Sequence, residues 1–341
     1  MTAAYTRRML LGTAAALAAA AGMPAPGIAQ DIRSRIIRYG YGLGRDTHQG
    51  RAVEMYAERV GEMSDGKLRV RTFPDGTLGP DMQMQSALIG GSQEMMVGST
   101  ATLVGIAPEF AVWDLPFLFN NEAEADAILD GPIGQEVLDT LPDKGLVGLV
   151  YYENGFRNLT NSRRPIATLQ DLAGLKLRVM QNPVFLDAFA AMQANPVPLP
   201  FSELFTALET GAVDGQENPV NTIETSKFYE VQKYLTLTRH VYSPWIVLAS
   251  KQWWDQLSGD EQKILMDAAV ESRDFQRKDS REQTAKALEA LKEHGMEVVE
   301  PTAEEMASFR EAAQPTIDKY VQEIPGDLAQ RLFAELERTR A

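Results

Sequence analysis

Arg178 stands in the middle of an apolar strand pattern, Leu175-Lys176-Leu177-Arg178-Val179. About forty residues later the polar turn Gly215-Gln216-Glu217-Asn218-Pro219 follows a capped helix. An arginine in such a strand needs an anion, and its planar fork suits a carboxylate held by two parallel hydrogen bonds. The strand carries no acidic residue to supply one. Two sources remain open at this point: a distant Asp or Glu of the same chain in a structural ion pair, or a carboxylate brought by a ligand.

Other chemistry is poorly provided for. There is no cysteine and no G-x-S-x-G elbow to present a nucleophile. His48, His240 and His294 stand singly, without the H-x-x-x-H spacing of a zinc site. With 47 acidic residues in the chain, any one carboxylate pair carries almost no information. The sequence therefore points to no catalytic group, no metal and no cofactor. The loop Gly40-Tyr41-Gly42-Leu43-Gly44 precedes a helix N-terminus, a place that favours anions. It is not a dinucleotide fingerprint, because Arg45 occupies the third glycine's position.

The first thirty residues read as an export signal. Arg7-Arg8 precede an Ala/Leu-rich run to Ala21, and Gly27-Ile28-Ala29 offers a small-residue cleavage site. The paired arginines point to the twin-arginine route. The apolar run is short and is followed by Pro24 and Pro26, which argues against a spanning helix, so no direct membrane insertion is expected. A soluble periplasmic protein follows. Removing residues 1–29 takes away two arginines and no acid, deepening a net charge of −14 and arguing against nucleic-acid or anionic-lipid partners. One buried arginine still dominates locally over a diffuse surface charge, so an anionic ligand stays open.

The elements that must position Arg178 alternate between strand and helix. Ile32 to Tyr41 reads as a strand, Ala52 to Met63 as a helix, and Lys67 to Phe73 as a half-buried strand. Asp81 to Ile89 is helical, Glu94 to Gly98 a short strand, and Leu146 to Tyr152 a strand covered on both faces. Helices are expected over Pro183 to Met192 and Ser202 to Glu209, the second stopped by Gly211. Ser258 and Glu261 form a capping box that opens helical patterning as far as Gly295. That helix would run roughly 50 Å, long enough to brace two lobes. Thr302 and Glu305 start another. A mature length of about 310 residues exceeds one core, and no linker separates two halves, so the lobes are expected to interleave.

The segments GLKLRVMQNPVF, NPVPLPFSELFTALETGAVDGQENP and KFYEVQKYLTLTRHVYSP stand together between Gly174 and Pro244. With them the chain resembles the solute-binding proteins of TRAP (tripartite ATP-independent periplasmic) transporters, DctP type, from Tyr39 to about Val270. The resemblance implies an α/β, two-lobed periplasmic binding protein fold, type II-like, with a cleft between the lobes, two crossing strands, a long helix spanning both, and capture by hinge closure. The boundaries it implies are 30–154 plus 244–283 for lobe I and 155–243 plus 284–341 for lobe II.

Roles carry over residue by residue. Arg178 matches the family's carboxylate-gripping arginine and Asn218 its amide partner. Arg157 matches a second ligand-facing arginine, and Phe201 an aromatic over the ligand. Ser99, Asp81, His48 and Trp113 are candidates for reading the rest of the ligand from lobe I. Tyr242 and Trp245 wall the cleft or else fill the core. Gly98-Ser99-Thr100 lacks the acid found in amino-sugar-acid binders, which favours hydroxyl contacts. The implied function is capture of a small organic acid, a hydroxy acid or sugar acid first and a C4-dicarboxylate or aromatic or oxo acid next. Delivery would be to the membrane subunits of a sodium-coupled TRAP permease. A receptor feeding a membrane sensor would use the same cleft.

Overall fold

The computed structural model describes residues 31–340. The export-signal reading falls on residues 1–29, outside the described residues. Two sheets organise the chain. The first has strand order β2-β1-β3-β10-β4, from β1 (Arg35–Tyr41), β2 (Leu68–Phe73), β3 (Met95–Ser99), β4 (Leu146–Phe156) and β10 (Tyr242–Ser250). The second has order β11-β9-β5-β8-β6-β7, from β5 (Asn158–Asn161), β6 (Lys176–Val179), β7 (Asn195–Pro198), β8 (Gly215–Asn218), β9 (Tyr234–Thr236) and β11 (Glu297–Val299). Strands β1, β2 and β3 are parallel, while β10 runs antiparallel to both β3 and β4.

The helices are α1 (His48–Met63), α2 (Asp81–Ile89), α3 (Glu122–Leu129), α4 (Pro132–Leu138), α5 (Pro183–Ala191) and α6 (Leu204–Glu209). After them come α7 (Val220–Thr225), α8 (Lys251–Trp254), α9 (Gly259–Glu293), α10 (Ala303–Glu323) and α11 (Leu328–Arg340). Both faces of the first sheet are covered. One core holds Leu88, Phe110, Trp113, Ile128, Tyr151 and Leu332, the other Tyr39, Tyr56, Val97, Trp245 and Leu265. The second sheet is likewise covered by a core around Leu177, Phe185 and Phe189 and another around Leu204, Ile223 and Leu291. Four cores on two sheets make two lobes, as chain length and patterning imply.

The chain passes between the lobes where β4 runs into β5 and where β9 leads to β10. At the first crossing Gly155 takes φ 113°, a conformation that disfavours any side chain. Helix α9 is the third connection. Ser258 accepts from the Glu261 amide and the Glu261 side chain accepts from the Ser258 amide, which fixes its start. From there Ile264 and Leu265 pack under the first sheet and Ala287 and Leu291 under the second.

The C-terminal helices divide differently from the expected boundaries. Phe309 of α10 joins the core of the second sheet, but Leu328, Leu332 and Leu336 of α11 pack in the core of the first. Arg340 closes that contact on Glu124 Oε2 at 2.8 Å. Among the described residues no helix is long and apolar enough to cross a membrane.

Candidate functional site

Where the lobes face each other lies an open-mouthed cleft lined by residues of both. The first lobe lines it with Gly42, Leu43, Gln49, Asp81, Ser99 and Thr102, and the second with Arg178, Met180, Leu199, Phe201 and Asn218. Asn154, Arg157 and Trp245, close to the crossings, complete its floor.

Strand β8 explains how the charges come together. It pairs antiparallel with β5, setting Asn158 opposite Asn218 and Leu159 opposite Glu217. On its other side it pairs parallel with β6, setting Arg178 opposite Gln216. Glu217 and Asn218 are therefore carried between two arginines that are distant in sequence. Because successive strand residues point to opposite faces, they serve different partners.

Glu217 goes to Arg157. Both are fully buried, and the guanidinium donates from Nε to Oε2, and from Nη2 to Oε1 at 2.7 Å and to the Glu217 carbonyl at 2.6 Å. His240 Nε2 lies 3.1 Å from Oε2 and its Nδ1 lies 2.8 Å from the Thr238 hydroxyl. The tautomer with its proton on Nε2 satisfies both. Burial pushes the Glu217 carboxyl up, but Arg157 and His240 outweigh it and hold the group below the usual range. The charge of Arg157 is thus already met inside the protein.

Arg178 is in the opposite condition. It is 2 % exposed, and its Nε and Nη2 both donate to the Leu199 carbonyl, at 2.9 and 2.7 Å. That bond aims the side chain without neutralising it. Among the described residues no carboxylate forms an ion pair with it, and burial lowers its pKa to about 10. Next to it in the lining, Asn218 donates from Nδ2 to Gln216 Oε1 at 2.5 Å. Phe201 packs on Phe228 with ring centroids 6.0 Å apart and presents its remaining surface to the cavity.

On the first lobe, Asp81 is the opening residue of α2. Its Oδ2 accepts from the Ser99 amide at 2.9 Å, and burial raises its pKa to about 6. The Ser99 hydroxyl caps the next turn through Ala101 N at 3.3 Å.

Three candidates lie elsewhere. Trp113 is fully buried and meets Tyr151 edge-on at 5.9 Å, inside the core of the first sheet. Tyr242 is buried there too, donating to Glu153 Oε2 at 3.1 Å and packing on Phe119 and Phe156. His48 stacks on Trp245 from behind, at 5.2 Å, and burial lowers its pKa to about 4. It supports the wall without lining it. Asn154, Gln49, Thr222 and Met180 line the cavity and went unremarked in the sequence. No local pattern marks them, since they meet only across the crossings.

The bacterial extracellular solute-binding protein family 7 model, DctP, matches residues 39–323. The 2,3-diketo-L-gulonate-binding periplasmic protein YiaO of Escherichia coli is 38% identical over 295 residues, covering 86% of this chain and 89% of that one. The crystal structure of the sugar acid binding protein DctPAm from Advenella mimigardefordensis, in complex with galactonate, superposes with a TM-score of 0.89 at 52% identity. It covers 91% of this chain and 100% of that one. A TRAP periplasmic solute-binding protein from Polaromonas, bound to D-erythronate, has a TM-score of 0.84 at 38% identity, covering 87% and 97%. The chain belongs to the DctP family of TRAP transporter solute-binding proteins.

Proposed function

We propose that the protein captures a small organic acid in the periplasm, a sugar acid or hydroxy acid in preference to other classes, and delivers it to a sodium-coupled TRAP permease. The observation that carries this reading is Arg178: a buried guanidinium, fixed by a backbone carbonyl and facing a cavity, with no carboxylate paired to it among the described residues. A ligand carboxylate supplies the missing anion to its free edge, and Asn218 hydrogen-bonds the same group. Arg157, held by Glu217, adds a fixed donor at the floor and no unmet charge. Phe201 and Trp245 offer apolar surface to the carbon skeleton. Ligand contacts from both lobes favour the closed arrangement only to the extent that they are missing when the lobes are apart. Binding and release, with no chemical step, are what the residues equip the cavity to do. The relatives' ligands, galactonate and D-erythronate, are polyhydroxy monoacids and support the same ligand class.

The test is a thermal-shift screen of residues 30–341 against aldonates, uronates, hydroxy acids, dicarboxylates, oxo acids and amino acids, with neutral sugars as controls. A ligand at about a hundred times its Kd adds about 2.7 kcal/mol and raises the midpoint by several degrees. Shifts confined to acids are expected. Shifts from neutral sugars, with silence from every acid, would overturn the reading.

A further inference from the structure

The charged side chains in the cavity wall are few. Among the described residues they are Arg178 and Arg157 from the second lobe and Asp81 from the first. Glu217 already answers Arg157. What remains in the lining is one cation on the second lobe, without an ion-pair partner among the described residues, and one carboxylate on the first, each within electrostatic range of the other. The cavity therefore has two poles of opposite sign, one on each lobe.

The anionic pole is constructed by its neighbours. The Ser99 amide holds Oδ2 of Asp81 at 2.9 Å. Gly98 gives it room, since a Cβ there would lie 2.9 Å from both the carboxyl carbon and Oδ2. The other polar groups on that wall are neutral. Gln49 spends its carbonyl oxygen on Leu43 N at 3.0 Å, which leaves its amide hydrogens, and Thr102 is tied to the Ser99 carbonyl at 2.8 Å. An ionised carboxylate only accepts hydrogen bonds, and it does so strongly from a hydroxyl. A second carboxylate on the ligand meets it as a like charge in a partly dehydrated space.

We propose that Asp81 sets the charge selectivity of the cavity: it accepts the hydroxyl groups at the far end of a singly charged polyhydroxy acid and excludes a ligand carrying a second carboxylate there. This rests on the acid-binding reading above and adds the ligand's far end to it.

The selectivity depends on pH. Burial raises the Asp81 pKa to about 6, so the group is ionised at pH 8 and protonated at pH 5. No neighbour masks this. Strand β3 and residues 100–103 carry no titratable group, and α2 has no other charge. β10 brings only Tyr242, engaged with Glu153, and α8 brings only Lys251, engaged with Asp255. Across the cavity stand Arg178 and Arg157. Protonated Asp81 becomes a neutral donor and acceptor that tolerates a carboxylate.

Matched acids isolate the effect. Galactonate and galactarate, like erythronate and meso-tartrate, differ only in a terminal hydroxymethyl replaced by a carboxylate. Calorimetric titration of residues 30–341 at pH 8 is expected to show at least one aldonate binding about thirtyfold or more tighter than its diacid. The ratio should narrow at least about fivefold at pH 5 as Asp81 is protonated. Asp81→Asn keeps an acceptor for the Ser99 amide and should show the narrowed ratio at both pH values. Gly98→Ala displaces the carboxylate but keeps its charge, so it should weaken the aldonate while the diacid stays excluded. The thermal midpoint of each unliganded variant reports that it is folded. A diacid that binds as tightly as its aldonate at pH 8, or an Asp81→Asn ratio equal to the parent's, overturns this assignment alone. Silence from all four acids overturns it, and silence extending to the whole acid panel overturns the acid-binding reading as well.

Discussion

Replacing Arg178 with Met separates a ligand arginine from a structural one. In the unliganded protein the guanidinium is buried without a carboxylate partner, and its pKa drops to about 10. That depression corresponds to a burial cost on the order of 3 kcal/mol for the charged form. Methionine removes the cost, but it also removes two hydrogen bonds to the Leu199 carbonyl, worth about 1 kcal/mol each and leaving that oxygen unsatisfied. The two changes nearly cancel, so the stability of the unliganded variant should lie within about 1 kcal/mol of the parent. A structural arginine with a buried partner behaves otherwise, because its loss strands a carboxylate at a cost of about 3–5 kcal/mol. The assay is urea unfolding of both proteins, with and without an acid identified in the thermal screen at about a hundred times its Kd. The parent should gain about 2.7 kcal/mol from the ligand and the variant almost nothing. A variant destabilised by 3 kcal/mol or more, and still stabilised by the acid, would refute the reasoning and make Arg178 part of the scaffold.

Arg178→Lys should weaken acid binding by about 2 kcal/mol, roughly thirtyfold, because one ammonium reproduces neither the fork nor both bonds to Leu199; titration calorimetry measures it. Asn218→Ala should cost about 1 kcal/mol of binding, and an unchanged affinity would make the turn structural. Glu217→Gln leaves the Arg157 charge buried and uncompensated, so stability should fall by about 3–5 kcal/mol in urea unfolding. The Glu217 pKa is lowered in the fold, so its contribution is complete above the unfolded value near 4.3 and is lost as pH falls through the lower folded value. For Asp81 the sign reverses. Its folded pKa is raised to about 6, so the unliganded protein should lose stability as pH rises from about 4 through 6. One edge faces the water of the cavity, which holds the loss to the order of 1–2 kcal/mol, and Asp81→Asn should flatten the curve.

What the sequence determined by itself is what short-range interactions decide. Helix α2 begins and ends where the pattern puts it, at Asp81 and Ile89, and α9 begins at Gly259, directly after the Ser258 cap of the Ser258–Glu261 capping box. These signals close within one turn, so the residues that carry them are neighbours in sequence. The apolar strand around Arg178 was legible for the same reason. Helices α3, α4 and α11 were not. Their short apolar faces are completed by one another and by the first sheet, and α11 joins that sheet's lobe from the far end of the chain.

Only the tertiary structure decided which arginine is answered by a carboxylate of the protein and which, among the described residues, is not. Sequence alone does not show that Arg157 has a partner in the chain. The register of β8 between β5 and β6 hands Glu217 to Arg157 and leaves Arg178 facing the cavity beside Asn218. Aromatic residues were ambiguous in the same way. Trp245 lines the cavity while Tyr242, on the same strand, points into the core, and Trp113 is enclosed beneath it. Which face of a strand meets water depends on what the rest of the chain packs against it, and that is fixed by contacts between residues far apart in sequence.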